Sequence, residues 1–117
     1  MYRLPKDFDA SFFVGRRIEL ICFGENTVSF HFNDDLLVTV ESAFAYVDRD
    51  GAEQLSEIPA VGTNVLKLLG KSVRQSTGSD DGTLNLAFEN GDTLKILDTS
   101  DQYESYKIGL GDDTIIV

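Results

Sequence analysis

The sequence predicts a mainly β domain, α+β at its margin: two antiparallel β-meanders joined by one short helix near residues 63–69. Three observations carry this. Apolar residues alternate with polar ones in Val28-Ser29-Phe30-His31-Phe32 and again in Leu84-Asn85-Leu86-Ala87-Phe88, the period of a half-buried strand. Each run ends in turn chemistry, Asn33-Asp34-Asp35 in the first and Asn90-Gly91 in the second. Helix end signals frame a single segment, with Thr63 or Asn64 as N-cap and Gly70 as C-cap.

Taken along the chain, Ile18-Glu19-Leu20-Ile21-Cys22-Phe23 is a β-rich apolar run, closed by the turn Gly24-Glu25-Asn26. Val28 to Phe32 is the next strand, and Leu36 to Val40 returns beside it. Phe44-Ala45-Tyr46-Val47 is a further strand that runs into the turn Asp48-Arg49-Asp50-Gly51. Glu53 to Pro59 is weakly patterned. Thr63 to Leu69 reads as two helical turns. Val73 opens a strand, and Gln75 to Gly82 reads as a polar loop. Leu84 to Phe88 and the stretch holding Leu94 and Ile96 form a hairpin. Tyr106 to Leu110 and Thr114 to Val117 are the last strands, split by Gly111-Asp112-Asp113.

The chain's 117 residues amount to one domain, 1–117. Within it, units 15–48 and 70–110 match in pattern. Gly15-Arg16-Arg17-Ile18 lies over Gly70-Lys71-Ser72-Val73, and Val28, Phe30 and Phe32 lie over Leu84, Leu86 and Phe88. A true duplication and a chance likeness of two meanders both fit this pseudo-repeat. The expected core is Ile18, Leu20, Val28, Phe30, Phe32, Val38, Val40, Leu66, Leu69, Val73, Leu84, Leu86, Phe88, Leu94 and Ile96. Ile115 and Val117 are expected to add a strand to the domain's own sheet, with a weak homodimer as the other use of the tail.

The second half also carries a resemblance. The segment Leu68-Leu69-Gly70-Lys71-Ser72-Val73, the hairpin from Leu84 to Leu94 and the corner Tyr103-Glu104-Ser105-Tyr106 resemble a loose group of small acidic bacterial proteins of unknown function. Some members are regarded as immunity-type proteins beside secreted toxins. Members commonly hold tryptophan where Tyr106 stands. The resemblance implies a fold and a protein partner, and it brings no catalytic residues.

Composition narrows the function further. Ten basic residues against 20 acidic ones leave a net charge of −10. Nucleic acid and anionic membrane surfaces are polyanions that such a chain repels. No apolar run approaches the ~20 residues of a membrane span, and the start lacks a signal peptide's apolar core, so a cytoplasmic protein is expected. One cysteine excludes an internal disulfide. Cys22, inside an apolar run, reads as a buried, inert thiol.

The acidic pairs read as turn chemistry. Asp48-Arg49-Asp50-Gly51 begins like a calcium loop, but Pro59 stands where the bidentate glutamate belongs and the glycine comes two residues early. His31, the sole histidine, faces away from Phe30 and Phe32. No serine sits in a nucleophile elbow. Arg16-Arg17 reads as a solvated strand end. Neither a metal nor a cofactor is implied.

These readings lead to a non-catalytic interaction module with a basic protein partner, an immunity-type inhibitor of a basic toxin in its specific form. Tyr103, Glu104 and Tyr106, with Asp48 and Asp50, are the candidate interaction surface, since aromatic rings beside carboxylates suit an interface. The alternative is a small-ligand or metal-ion domain using a cleft between the meanders.

Overall fold

The computed structural model describes residues 4, 8–99 and 104–117. Ten strands lie among them: β1 (Ile18–Phe23), β2 (Val28–Phe32), β3 (Leu36–Val40), β4 (Ala43–Val47), β5 (Glu53–Glu57), β6 (Val73–Gly78), β7 (Leu84–Phe88), β8 (Thr93–Leu97), β9 (Tyr106–Leu110) and β10 (Asp113–Ile116). The fold is mainly β, as the alternation predicts. All pairings are antiparallel, in two five-stranded sheets ordered β1-β2-β3-β9-β10 and β5-β4-β8-β7-β6.

Each half of the chain builds a three-stranded meander in one sheet and lends a hairpin to the other. Listed from β6, the second sheet runs β6-β7-β8-β4-β5, which is the first sheet's order with every strand moved five places along the chain. Residues 15–48 thus hold β1 to β4, and residues 70–110 hold β6 to β9. At the junction the halves exchange reciprocal backbone bonds. Gly15 N–H donates to the Val73 carbonyl and Gly70 N–H to the Ile18 carbonyl, both at 2.8 Å. Gly15 and Gly70 sit at φ +86° and +79°, which favours glycine at both bends.

The expected helix is a single 3₁₀ turn, Val65–Leu68. Gly62 and Gly70, both at positive φ, frame the turn, and Gly70 N–H must meet β1. In a 3₁₀ turn residues three apart eclipse, so Val65 and Leu68 fill the core while Leu66 and Leu69 stay exposed. A matching turn, Ser11–Phe13, precedes β1 and buries Phe13.

β1 corrects another expected core residue. Ile18 pairs with Phe32 and Leu20 with His31, so the strand carries a bulge at Glu19. The extra residue rotates the pattern: Ile18 and Ile21 point inward, and Leu20 is 50% exposed. The same bulge recurs in β6 between Val73 and Gln75. The remaining expected core residues are buried, and Phe44, Tyr46, Tyr106, Ile108 and Val117 join them.

Two weakly patterned stretches are edge strands. Glu53–Glu57 pairs along β4, and the segment read as a loop from Gln75 continues β6 as far as Gly78. Edge strands need only one well-buried neighbour, and polar residues there discourage pairing with other chains, so hydrophobic alternation is faint. β10 pairs with β9, as expected of the tail. Val117 is fully buried, donates to the Tyr106 carbonyl at 2.9 Å and accepts from Ser105 N–H at 2.7 Å.

Between the sheets Phe30 meets Phe44 edge to face, centroids 5.5 Å apart. With Val28, Leu86 and Ile96 also fully buried, the space between the sheets, where the alternative reading places a ligand cleft, is packed with side chains.

Candidate functional site

The outer face of the first sheet carries the most distinctive surface. Because Phe30, Phe32, Val38 and Ile108 point inward, the pleat turns their neighbours outward. The register then places Leu20, His31, Leu37, Gly109 and Thr114 in one row across all five strands. Gly109 leaves that row hollow. A Cβ added there would find only the Leu37 carbonyl oxygen within 4 Å, at 3.9 Å. The result is an open groove of about 810 Å³.

The equivalent row on the second sheet reads Gln75, Ala87, Thr93, Val47 and Glu53. Val47 occupies the place that Gly109 leaves empty. A smaller depression of about 240 Å³ on that sheet is lined by Asp81, Asn85 and Lys95, among others. Lys95 lies 3.4 Å from Glu53 there.

Three carboxylates line the first groove: Glu19, Asp35 and Asp112. Asp35 belongs to the β2–β3 turn, where Asp34 and Asp35 adopt φ of 61° and 60°, a conformation Asp tolerates better than most residues. Asp112 belongs to the β9–β10 turn. Gly111 N–H donates to the Asp35 carbonyl at 3.1 Å and ties the two turns together.

Arg16 braces the first turn from behind. Its guanidinium donates to the carbonyls of Asn33 and Asp34, both at 2.9 Å, and to that of Phe12 at 3.1 Å. It is therefore a part-buried clamp on backbone rather than a solvated strand end. Arg17 pairs with Glu19 at 2.8 Å. The side chains of Asp35 and Asp112 have no hydrogen-bond or ion-pair partner among the described residues.

Among the described residues, no lysine or arginine lines the groove. Lys107 lies on the same face, one row away opposite Thr39. Its ammonium group is held by Glu104 at 3.3 Å and Glu41 at 3.6 Å. The hydrogen bond to Glu104, then the charges of Glu104 and Glu41, raise its pKa.

The residues expected to form an interaction surface do not come together. Tyr103 lies outside the described residues. Tyr106 is fully buried, and its hydroxyl donates to the Gly82 carbonyl at 2.7 Å. Its ring thus belongs to the core, because β9 is an interior strand of its sheet and Tyr106 faces in beside Val40. Glu104 is half-buried beside Lys107, near the start of β9. Asp48 and Asp50 lie beyond the far end of β4, where Asp48 Oδ1 accepts from Asp50 N–H at 2.9 Å and Ala52 N–H at 3.0 Å. That is turn chemistry, as the sequence suggests.

A family model matches residues 10–117, from the turn before β1 to the buried Val117. The chain belongs to a family of unknown function, DUF6188. No curated protein matches it, and no solved structure does. In this DUF6188 chain, no described helix is long and apolar enough to cross a membrane. Among the described residues, no group of three or more His, Cys, Asp or Glu is placed to hold a metal ion.

Cys22 of the DUF6188 domain is exposed. The bulge that turns Leu20 outward carries Cys22 with it, which corrects the buried thiol expected from the apolar run. Sequence reasoning also missed the groove. Its signal is Gly109 within Ile108-Gly109-Leu110, a glycine in a strand interior, which marks a close approach or an open site. Only the register reveals that it stands between Leu37 and Thr114.

Proposed function

We propose that this DUF6188 protein is a non-catalytic module that binds a basic protein through the outer face of its first sheet. One observation carries the reading: a groove lined by Glu19, Asp35 and Asp112, and among the described residues by no lysine or arginine, on a chain of net charge −10. Apolar Leu20 and Leu37 in the same groove give contact area, and the carboxylates give steering toward a cationic partner. The resemblance to small acidic bacterial proteins gives the specific form, an immunity-type inhibitor of a basic toxin acting in the cytoplasm as a monomer. The hydroxyls of Tyr46 and Tyr106 are engaged in buried structural bonds, which supports a binding role over a catalytic one.

The test is affinity capture with the parent protein and with Glu19→Gln/Asp35→Asn/Asp112→Asn. The parent should retain a protein of high pI that salt releases and the triple variant fails to hold. Equal retention by both proteins would remove the groove from the interface. The groove's volume also lies within the range of small-molecule sites. A thermal-shift panel of metabolites tests that second reading, since a ligand of the native state must raise the melting temperature.

A further inference from the structure

We infer that the groove is a socket for a single basic side chain, lysine or arginine, presented by the partner. The aliphatic stem lies over Gly109, between Leu37 and Thr114, and the charged end reaches Asp35 and Asp112. This rests on the docking reading above and specifies what the face recognises.

The argument begins at Gly109. Its φ lies outside the left-handed region, and a Cβ there would meet only ordinary van der Waals contact, so backbone geometry does not require glycine. What the glycine provides is room, and the matching row of the second sheet lacks that room because it carries Val47. The hollow is therefore local to one face of an otherwise parallel construction.

Its walls suit a methylene stem. Leu37 is a hydrophobe on the outer face, and His31 offers a ring beside it in the same row. Basic side chains bury their stems along apolar surface while their charged ends stay wet. The end of the groove carries Asp35 and Asp112 on two turns joined by the Gly111–Asp35 bond, and neither carboxylate has a partner among the described residues. The nearby cations among the described residues are already held, Lys107 by Glu41 and Glu104 and Arg17 by Glu19. A partner's cation thus meets two unpaired carboxylates across a short apolar floor.

The test is a titration of the full chain, followed by amide NMR, with hexalysine, hexaarginine and hexa-acetyl-lysine peptides. Hexalysine or hexaarginine should shift Gly109, Leu37, His31, Asp35 and Asp112 together, and the acetylated peptide should not. Gly109→Val copies the residue of the second sheet, and Asp35→Asn/Asp112→Asn removes two charges. Each should weaken binding at least tenfold. Asp48→Asn/Asp50→Asn removes the same charge at a remote turn and should change affinity less than twofold.

Equal weakening by both charge pairs would mean diffuse attraction to a polyanion and would overturn the socket. So would unchanged binding by Gly109→Val with a native spectrum. If that variant does not fold, the contrast between the two charge pairs decides alone. A captured partner that still binds Gly109→Val but not the triple carboxylate variant would overturn the socket and leave the docking face standing. A partner indifferent to both would overturn both.

Discussion

Ile18 and Leu20 are two residues apart in one strand, yet one is fully buried and the other half-exposed. Simple alternation puts them on the same face, and the bulge at Glu19 separates them. Ile18→Ala should therefore cost about 2–5 kcal/mol, whereas Leu20→Ala should stay within about 0.5 kcal/mol. Urea melts of the two variants measure this directly, and comparable losses would mean that β1 has no bulge. Tyr46 carries a second prediction. Its hydroxyl donates to Asp92 at 2.6 Å in a buried setting. Burial first, then the hydrogen bond and charge of Asp92, push its pKa up to about 12. Burial raises that of Tyr106 as well, followed by the charges of Asp98 and Asp81. A raised folded pKa means that the folded state keeps its proton longer than the unfolded one. The stabilisation is complete below pH 10 and is lost as pH rises toward about 12. Tyr46→Phe should flatten that alkaline decline in the urea midpoint, and parallel curves for parent and variant would sink the assignment.

Interior strands were legible where one face is buried and the other is not. Val28-Ser29-Phe30-His31-Phe32 alternates without a break, and β2 follows it residue for residue. β5 was not legible, because its only buried residue is Ser56. The 3₁₀ turn misled for a geometric reason: Leu66 and Leu69 are as apolar as Val65 and Leu68, and only the tighter winding decides which pair faces in. The groove was illegible because its row joins five strands from distant parts of the chain, and its central residue contributes no side chain. The tail was readable in outline. Thr114-Ile115-Ile116-Val117 has strand composition, and β10 does pair with β9. Deleting these four residues removes the fully buried Val117 and its three backbone bonds. Burial of a valine alone is worth about 1.5–3 kcal/mol, so the truncated chain should lose at least that in chemical denaturation. An unchanged midpoint would place the tail outside the folding unit.

The two halves are interlocked rather than juxtaposed. β3 pairs with β9 in one sheet and β4 with β8 in the other, so each half completes its partner's sheet. The charge of the assembled chain bears on this construction. A net charge of −10 spreads over an object only 31 × 28 × 24 Å across, and acidic residues gather at turns such as Asp34-Asp35, Asp80-Asp81 and Asp112-Asp113. Opposing ion pairs are few among the described residues and part-exposed: Arg17–Glu19, Lys95–Glu53, and Lys107 with Glu41 and Glu104. Such solvent-screened pairs contribute little, whereas excess like charge destabilises the compact state as a whole. The screening length is about 10 Å at 0.1 M salt and about 30 Å at 0.01 M. Moderate salt therefore suppresses repulsion between turns on different sides of the molecule while touching short contacts less. The melting temperature should rise as sodium chloride is increased from low to moderate concentration at neutral pH. Neutralising the remote pair in Asp48→Asn/Asp50→Asn should raise the low-salt melting temperature and reduce the salt effect. A parent midpoint that falls steadily with salt would mean that local ion pairs outweigh the general repulsion.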